Sequence, residues 1–410
     1  MGSDKEDQPS QNSLNTLAKM VAIKAIKNGE ALRQDKVPEI QAEELEMKSP
    51  GMAVWNKMKE AVYVEGRNYQ HASDAQQNQR SPEDHVLQLA RLLYNSEWTA
   101  LLLSLDCVGI VRRPDVHQID FIYRLPGQLG KSKPLSPYED TTFRGPKPLS
   151  ELLSTPTFQL TLAQKFEVGK RLVESISLMH ANGWLHKNLR ASSVIFFPQE
   201  SSDAGLSDRP LILKRPHISR FEFSRPEPIQ SEVPARGAPG STSRLEELLR
   251  TAPRPSMISL PINWNEGQAE ARTGDLMSAN HAFTSARAEI QLDYYHHPAK
   301  FASLNRHYCY AYDGYSLGIL LIEIGCSNTM LNLEKILNQT LAYTPINAPY
   351  DVRRNIYNQV IPYLMFLCGD LYAEAVGLCL MLEPLEDDQT CRQQQELCVK
   401  VAAILERCCA

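Results

Sequence analysis

The stretch LMHANGWLHKNLRASSVIFF, residues 178–197, decides the fold of this chain. It begins at the end of a long helix whose apolar face runs from Leu162 to Ile176, and Asn182-Gly183 is a typical helix stop. A loop around His186 follows the stop. The stretch is therefore a helix-to-loop junction, and the segments before and after it differ in character.

Composition limits the function classes. The chain has 410 residues and a net charge of −5, which allows one large two-lobed domain or two ordinary ones. No basic face favours nucleic acid, so we expect no nucleic-acid binding. No apolar run reaches the roughly 20 residues that span a bilayer, so we expect no integral membrane segment. Nine scattered cysteines without a paired framework indicate reduced thiols and a cytoplasmic protein.

Residues 1–45 are predicted to be a flexible tail with one amphipathic helix within residues 13–28. Leu14, Leu17 and Val21 fall at helical spacing. The lysines of this helix could favour an acidic membrane surface, which would give a weak peripheral contact. The favoured alternatives are packing on a neighbouring domain or a remnant of an upstream domain.

Residues 46–126 have the pattern of a small β-rich unit. The run 61–69 is typical of a strand, and 81–96 is typical of a helix with Pro at its first position. Two strand-like runs follow at 100–111 and 117–125. The predicted order is therefore strand, helix, strand, strand.

The remainder of the chain is predicted to be mainly helical. Residues 127–147 are a linker rich in Gly, Pro and Lys, and residues 148–410 carry helical patterns. Segments near 199–210 and 226–290 are rich in Ser, Pro, Gly and charge, so we expect flexible insertions there. The Ser, Thr and Arg content of the second insertion suits regulation by phosphorylation.

Three segments, in order, resemble the C-lobe of protein kinases. Residues 178–197 are similar to the end of kinase helix E and the catalytic loop. LKRPHISRFEFSR, residues 213–225, is similar to the strand that leads into the Asp-Phe-Gly motif. YYHHPAKF (294–301) and YDGYSLGILLIEIG (312–325) are similar to the Ala-Pro-Glu segment and helix F. The order of the segments is more specific than any single motif.

Upstream, FIYRLP (121–126) and PLSELL (148–153) are similar to strand 5, the hinge and helix D. The resemblance covers about residues 60–410. It implies an α+β, two-lobed protein-kinase-like fold. The reduced N-lobe would hold an antiparallel sheet plus one helix, and the C-lobe would be mainly helical.

Within kinase-like proteins, the chain most resembles the fungal kinase-like domains that often follow a HeLo-type prion-inhibition domain. This resemblance is carried by VYVEGRNY (62–69), FEFSRP (221–226), YYHHP (294–298) and DGYSLGILLIEIG (313–325). No HeLo-type domain fits in the sixty or so residues before the match. We therefore expect either a shorter relative or a fragment of such a protein.

The resemblance puts altered residues at the catalytic-loop positions. Asn188 stands at the position of the catalytic Asp, and an amide cannot accept the proton of a substrate hydroxyl. Arg190 stands at the catalytic-loop Lys position and keeps a positive charge. Ser193 stands at the metal-binding Asn position and is a weaker oxygen ligand. We therefore expect no metal site there.

The Asp-Phe-Gly position is altered further. It contains Arg220, Phe221 and Glu222, so a guanidinium replaces the carboxylate that would bind magnesium. Arg220 could pair with a phosphate, or with a carboxylate such as Glu222, and hold the site in one shape without metal. The alternative is a solvent-exposed or structurally paired arginine.

The phosphate-binding parts of a kinase also lack clear counterparts. Arg67 is the nearest cation to the strand-3 Lys position, and Lys57 and Lys59 lie further back. Gly51 stands alone, so no Gly-rich loop offers backbone amides to phosphates. Cofactor binding is therefore not expected, although ATP binding without magnesium stays open.

Scaffold positions of the resemblance are retained, namely His186, Phe221, Pro298, Asp313 and Gly318. Asp313 matches the helix F aspartate that holds the catalytic loop through backbone amides, and Pro298 matches the Pro of Ala-Pro-Glu. The Glu of that motif is replaced by Ala299, so its ion pair is lost.

The pattern predicts a pseudokinase, a signalling or scaffold module with protein partners. One alternative is an atypical active serine/threonine kinase that binds ATP and draws metal ligands from other acids. Another is a metal-independent nucleotide-binding regulator.

Overall fold

The computed structural model describes residues 36–69, 82–94, 99–126, 145–181, 184–198, 211, 213, 215–221, 225–226, 294–299, 308–338, 341, 349–384 and 388–408. Four predicted features lie wholly or almost wholly outside these residues. They are the helix within 13–28, most of the linker 127–147, and the insertions near 199–210 and 226–290. Glu222 is also outside.

An antiparallel sheet of five strands forms the first part of the described chain, in the order β1-β2-β3-β5-β4. Its strands are β1 (Leu45–Ser49), β2 (Met52–Trp55), β3 (Glu60–Asn68), β4 (Cys107–Arg113) and β5 (Gln118–Arg124).

The first hairpin is a correction to the predicted order of strand, helix, strand, strand. β1 and β2 precede the first predicted strand, joined by a turn in which Gly51 has φ +74°. That backbone conformation favours glycine. β1, with the sequence LEMKS, is an edge strand and is largely exposed. Its mostly polar sequence lacks the alternation of apolar and polar residues by which a half-buried strand is predicted.

The prediction for residues 100–111 was also partly wrong. Residues 99–105 form turns rather than a strand, and β4 begins only at Cys107. Leu102 and Leu105 are buried, and Leu103 has a left-handed backbone with φ +51°. This apolar run forms a buried turn, and the spacing of its apolar residues alone does not distinguish such a turn from a strand. The predicted strand at 117–125 is confirmed by β5.

The two faces of the sheet belong to different cores. One face carries Val62 and Ile122, which pack with Ile40, Ala53 and Val111 in a small cluster. The opposite face belongs to the main core with the helices, to which it contributes Ile110, Ile119, Phe121 and Tyr123.

The chain before β1 covers the small cluster. Ile40 donates its amide to the Ile110 carbonyl at 2.8 Å, and the Ile110 amide donates to the Pro38 carbonyl at 2.9 Å. A Cβ at Gly109 would lie 2.7 Å from Ile40 and 2.8 Å from the Pro38 oxygen, so only glycine leaves room for this contact. Residues 38–40 therefore pair with the outer edge of β4.

The helix predicted over residues 81–96 is confirmed as α1 (Pro82–Leu93). Leu89, Ala90 and Leu93 are buried in the main core, which explains why this short helix packs on the sheet.

The second half is mainly helical, as predicted. Its helices are α2 (Leu149–Leu153), α3 (Leu162–Ala181), α4 (Tyr310–Cys326), α5 (Met330–Leu337), α6 (Pro349–Cys368), α7 (Asp370–Leu380) and α8 (Asp388–Cys408). Every residue of α4 is buried, and the helix contacts α3, α6, α7 and α8. A helix that is apolar all round is typical of such a central position.

Short strands surround the junction stretch. They are β6 (Lys147–Pro148), β7 (Trp184–Leu185), β8 (Val194–Phe196), β9 (His217–Ile218) and β10 (Arg225–Pro226). β6, β8 and β9 form a three-stranded sheet, and β7 pairs with β10. The described chain is thus α+β, with a five-stranded antiparallel sheet, two smaller sheets and several helices.

Among the described residues, no single helix passes the length and apolarity test for a membrane span. Helices α4 and α5 pass it together, as a pair bent by 62°.

Candidate functional site

The loop between β7 and β8 is anchored by one carboxylate. Asp313, in the first turn of α4, accepts the His186 amide at 2.6 Å and the Lys187 amide at 2.9 Å. Lys187 has a left-handed backbone with φ 65°, which turns both amides toward the carboxylate. The sequence separation of more than 120 residues makes this a tertiary contact.

Two side chains complete the surroundings of Asp313. The Tyr308 hydroxyl donates to it at 2.8 Å, and His180 Nε2 lies 3.3 Å from its Oδ2. Asp313 is 0% exposed, and burial alone would raise the pKa of its carboxyl. The hydrogen bond and charge of His180, with help from His186 and Tyr308, instead hold that pKa below its ordinary value.

His180 connects this anchor to the last helix. Its Nδ1 lies 3.8 Å from Cys398 Sγ on α8. Burial would lower the pKa of His180, but the hydrogen bonds with Asp313 and Cys398 outweigh it and raise the pKa to about 9. The ring is therefore an imidazolium at neutral pH. Neither residue could be predicted from the sequence, because nothing in a helical His or a scattered Cys signals such a contact.

His186 is fully buried and packs on Phe221. The two ring centroids are 4.9 Å apart, and the Asn188 amide donates to His186 Nδ1 at 3.3 Å. Burial is the main reason why the pKa of His186 falls to about 4, so the ring is neutral at physiological pH.

The three residues that the resemblance matched to a catalytic loop lie between β7 and β8. Asn188 is buried, and Arg190 is half-buried. Ser193 is fully buried, and its hydroxyl accepts the Arg190 amide at 3.0 Å and donates to the Arg190 carbonyl at 2.8 Å. That hydroxyl closes the 3-10 turn Ala191–Ser193, so it serves the backbone.

A second buried network joins this turn to α4. The Ala191 amide donates to the Tyr295 hydroxyl at 3.0 Å, and that hydroxyl donates to Glu323. Glu323 also accepts the Met330 amide at 2.8 Å. Burial raises the pKa of Glu323 to about 7 despite these two hydrogen bonds. Neither Tyr295 nor Glu323 was predicted from the sequence as a site residue.

Pro298 is buried in a tight turn beside His297. His297 Nε2 lies 2.9 Å from the Leu382 carbonyl, and the Ala299 amide donates to His297 Nδ1 at 3.0 Å. Ala299 is 1% exposed. An ionised side chain at this buried position would be destabilising unless it had a partner of opposite charge.

Arg220 and Phe221, which the resemblance matched to the Asp-Phe-Gly motif, differ in burial. Phe221 is 1% exposed, whereas Arg220 is exposed and has a left-handed backbone with φ 59°. Within the described ranges, no hydrogen bond or ion pair of the Arg220 side chain is found. The predicted pairing of Arg220 with Glu222 stays a prediction, because Glu222 lies outside those ranges.

Arg67 is the cation that lies against Phe221. Its guanidinium carbon is 4.3 Å from the Phe121 ring centroid and 5.7 Å from that of Phe221, although the side chain is only 1% exposed. Its Nη2 lies 3.9 Å from Glu65 Oε1, which is an ion pair beyond hydrogen-bond reach. Nε and Nη2 of Arg67 have no hydrogen-bond partner among the described residues.

Glu65 supplies the polar contact from the sheet to this segment. Its Oε1 accepts the Phe221 amide at 3.3 Å. Glu65 and Arg67 are two residues apart on β3, so both side chains point to the same face of the sheet. A glutamate in a strand gives no sequence signal for such a role, and sequence analysis did not name it.

Aromatic rings on this face of the sheet pack on one another and on Phe197, which follows β8. The Tyr63 ring centroid lies 6.2 Å from that of Tyr123 and 6.2 Å from that of Phe197, and Phe121 stacks on Tyr123 at 6.2 Å. We call this packed set the seam. Its members are Tyr63, Glu65, Arg67, Phe121, Tyr123, His186, Phe197 and Phe221.

The described side chains offer little to a metal ion. Within the part of the chain that the structure describes, no group of three or more His, Cys, Asp or Glu side chains is placed to hold one. A cavity of about 340 Å³ lies elsewhere, lined by residues that include Lys147, Thr155, Phe158 and Pro198. No seam residue lines that cavity.

Comparison with known proteins leaves the family undetermined. No protein-family model matches the chain, and no curated protein matches it significantly.

Proposed function

We propose that this chain is a protein-kinase-like domain whose catalytic positions have been replaced. In this proposal it is a cytoplasmic signalling or scaffold module that binds protein partners and transfers no phosphate. The resemblance to fungal kinase-like domains suggests the setting, and the composition of residues 226–290 suits regulation by phosphorylation.

The order of elements and the anchored loop support the kinase-like part of the proposal. An antiparallel sheet with one helix precedes the helical part, in keeping with the resemblance, although the sheet has two more strands at its start than the sequence predicted. Asp313 on α4 holds the loop through the amides of His186 and Lys187, and His186 packs on Phe221. These are contacts between segments that the resemblance had matched independently.

The chemistry of the replaced positions supports the loss of phosphoryl transfer. General-base assistance contributes about 10²–10⁴ in rate, and the amide of Asn188 cannot supply it. The Ser193 hydroxyl bonds to the backbone of Arg190. Arg220 brings positive charge where a metal needs a carboxylate.

The packed seam is the observation that carries the proposal. A nucleotide lying between the sheet and the loop would have to displace buried side chains, above all Arg67, Tyr123 and Phe221. Each of them is no more than 2% exposed. Removing this much aromatic packing would expose apolar surface and oppose binding.

One observation favours a second function, a nucleotide-binding regulator that works without metal. Arg67 places a permanent positive charge in the seam, and two of its nitrogens lack hydrogen-bond partners among the described residues. A phosphate could use those donors if the seam opened.

Nucleotide binding tests these functions. Thermal shift and calorimetry would be run on the full chain with ATP plus magnesium, ATP plus EDTA, and no nucleotide. A ligand at 100 times its Kd stabilises by about 2.7 kcal/mol, which is readily measured. We expect no shift in any condition.

The other outcomes separate the alternatives. A shift that needs magnesium would overturn the proposal and indicate an active kinase, to be followed by a phosphotransfer assay. A shift that survives EDTA would indicate the metal-free regulator. In that case the Arg67→Met variant should lose the shift, whereas Arg112→Met, which changes an exposed arginine on β4, should keep it.

A further inference from the structure

We propose that Glu65 and Arg67 form a latch that closes the seam over Phe221 and that this latch is built to open. The inference rests on the proposed function, because it concerns how a ligand-free seam would be regulated. In this inference the seam has a closed and an open state, and a protein partner could bind the open state.

The latch consists of two unlike contacts on the same segment. Glu65 accepts the Phe221 amide at 3.3 Å, which fixes the backbone. The Arg67 guanidinium lies between the rings of Phe121 and Phe221, at 4.3 Å and 5.7 Å, which fixes the side chain. Both contacts start from β3, so together they tie the sheet to the segment that follows β9.

The same guanidinium also opposes closure. Its Nε and Nη2 are buried without hydrogen-bond partners among the described residues, and its nearest carboxylate oxygen is 3.9 Å away. A buried donor left unsatisfied disfavours the closed form by roughly five- to a hundredfold. Opening would return these donors to water. In the closed seam, the packing of the rings is therefore stabilising, whereas the unsatisfied guanidinium donors are destabilising.

The penalty cannot be relieved by loss of a proton. Arginine stays charged at every physiological pH. Movement is therefore the available relief, and Phe221 is the covering group whose movement would release the guanidinium.

The consequences of opening would extend beyond the seam. Phe221 packs on His186, whose amide is held by Asp313, and Asp313 is paired with His180 on α3. His180 in turn contacts Cys398 on α8. These contacts form a continuous physical path from the sheet to the last helix, along which opening could alter a distant surface.

Hydrogen exchange of the Phe221 amide tests the latch directly, because that amide is bonded to Glu65. It would be measured at residue resolution on the full chain without nucleotide. In Arg67→Met the apolar side chain keeps the packing and removes the buried charge, so we expect protection to rise about tenfold, or about 1.4 kcal/mol.

Glu65→Gln is the opposing variant. Glutamine keeps an oxygen that can accept the Phe221 amide but removes the negative charge facing Arg67. We expect protection of the Phe221 amide to fall about tenfold. The matched control is Arg112→Met, whose arginine is exposed and bonded to Glu83, and we expect it to leave this amide unchanged.

Unchanged or lower protection in Arg67→Met, with β4 and β5 amides still protected, would overturn the latch. So would a response of Arg112→Met as large as that of Arg67→Met. If Arg67→Met also loses protection in β4 and β5, the substitution has disrupted the packing of the sheet. The Glu65→Gln variant is then the test of the latch. No loss of protection in that variant overturns the proposal. Magnesium-dependent ATP binding, by contrast, would overturn only the proposed function, because the exchange experiment contains no nucleotide.

Discussion

Asp313 and Arg67 are both buried charges, but their surroundings differ. Asp313 is 0% exposed and has two backbone amides, a tyrosine hydroxyl and an imidazolium around it, all within 3.3 Å. Arg67 is 1% exposed and has two aromatic faces and one carboxylate at 3.9 Å. The first charge is satisfied by hydrogen bonds, whereas the second is satisfied only in part.

The difference shows what each region can do. A fully bonded buried network fixes one geometry, because every alternative loses hydrogen bonds that water cannot replace. A partly bonded buried charge makes its closed state less favourable than a fully bonded one would be. We therefore expect the loop held by Asp313 to be rigid, and the contact of Arg67 with Phe221 to be the place where the molecule moves.

The largest expected effect comes from breaking the Asp313 anchor. Asp313→Ala leaves the imidazolium of His180 and two backbone amides without their acceptor. We expect a loss of about 3–5 kcal/mol in the free energy of unfolding, the usual result of removing one partner of a buried pair. Urea unfolding of both proteins measures it.

Asp370→Ala is the matched control for this variant. Asp370 is an exposed acid in the first turn of α7, so its removal should change stability by no more than about 1 kcal/mol. An equal loss in the free energy of unfolding of the two variants would contradict the role of Asp313 as the anchor of the loop.

The next effect is a pH dependence from His180. Its pKa is about 9 in the fold, above the roughly 6.5 of an unfolded chain. A raised pKa means that its stabilisation is complete below pH 6.5 and is lost as pH rises toward 9. Chemical unfolding from pH 6 to 9.5 should show this decline, and His180→Gln should flatten it.

His117→Asn controls for the loss of a histidine as such. His117 is exposed and has a left-handed backbone that Asn accepts, so this variant should keep the decline. A decline that persists unchanged in His180→Gln would contradict the pairing of His180 with Asp313.

We expect the smallest effect at Glu323. This residue is intermediate between Asp313 and Arg67, because its buried carboxyl accepts hydrogen bonds but is not fully satisfied by them. Burial raises its pKa to about 7 although it accepts two hydrogen bonds. Since the fold favours the protonated acid, its contribution is present below about pH 4.5 and is lost as pH rises to 7. Glu323→Gln should therefore be neutral or gain up to about 1 kcal/mol at pH 8.

Unfolding at pH 5 and pH 8 measures this change. The variant should gain relative to the parent at pH 8 and not at pH 5. Glu374→Gln, at an exposed site on α7, should show no such difference. A marked loss in Glu323→Gln at pH 8 would mean that the ionised carboxylate itself holds Tyr295 and Met330.

Elements with strong periodicity could be predicted from the sequence, and weakly patterned ones could not. α1 and the helices from α3 onward follow from apolar spacing, capping and length. β1 was missed, because an exposed edge strand has no buried face to leave an alternating pattern, and its partner β2 was missed with it although Met52 and Ala53 are buried. Leu102 and Leu105 misled the prediction, because a buried turn is as apolar as a strand.

The site divides in a similar way. Asn188, Ser193 and Arg220 could be singled out because they stand in a segment whose order of residues is distinctive. Glu65, His180 and Cys398 could not, because each acts through a partner more than 70 residues away. No local pattern marks such a residue before the chain has folded.

The sequence by itself determined which chemical groups are available. It set an amide at Asn188, a guanidinium at Arg220, a carboxylate at Asp313 and an imidazole at His186, whatever the fold does with them. Only the tertiary structure decided which of these groups are buried and what faces them. The physical reason is that hydrogen bonding, desolvation and packing depend on distances between segments. Those distances give Asp313 a complete set of donors and leave Arg67 with an incomplete set of acceptors.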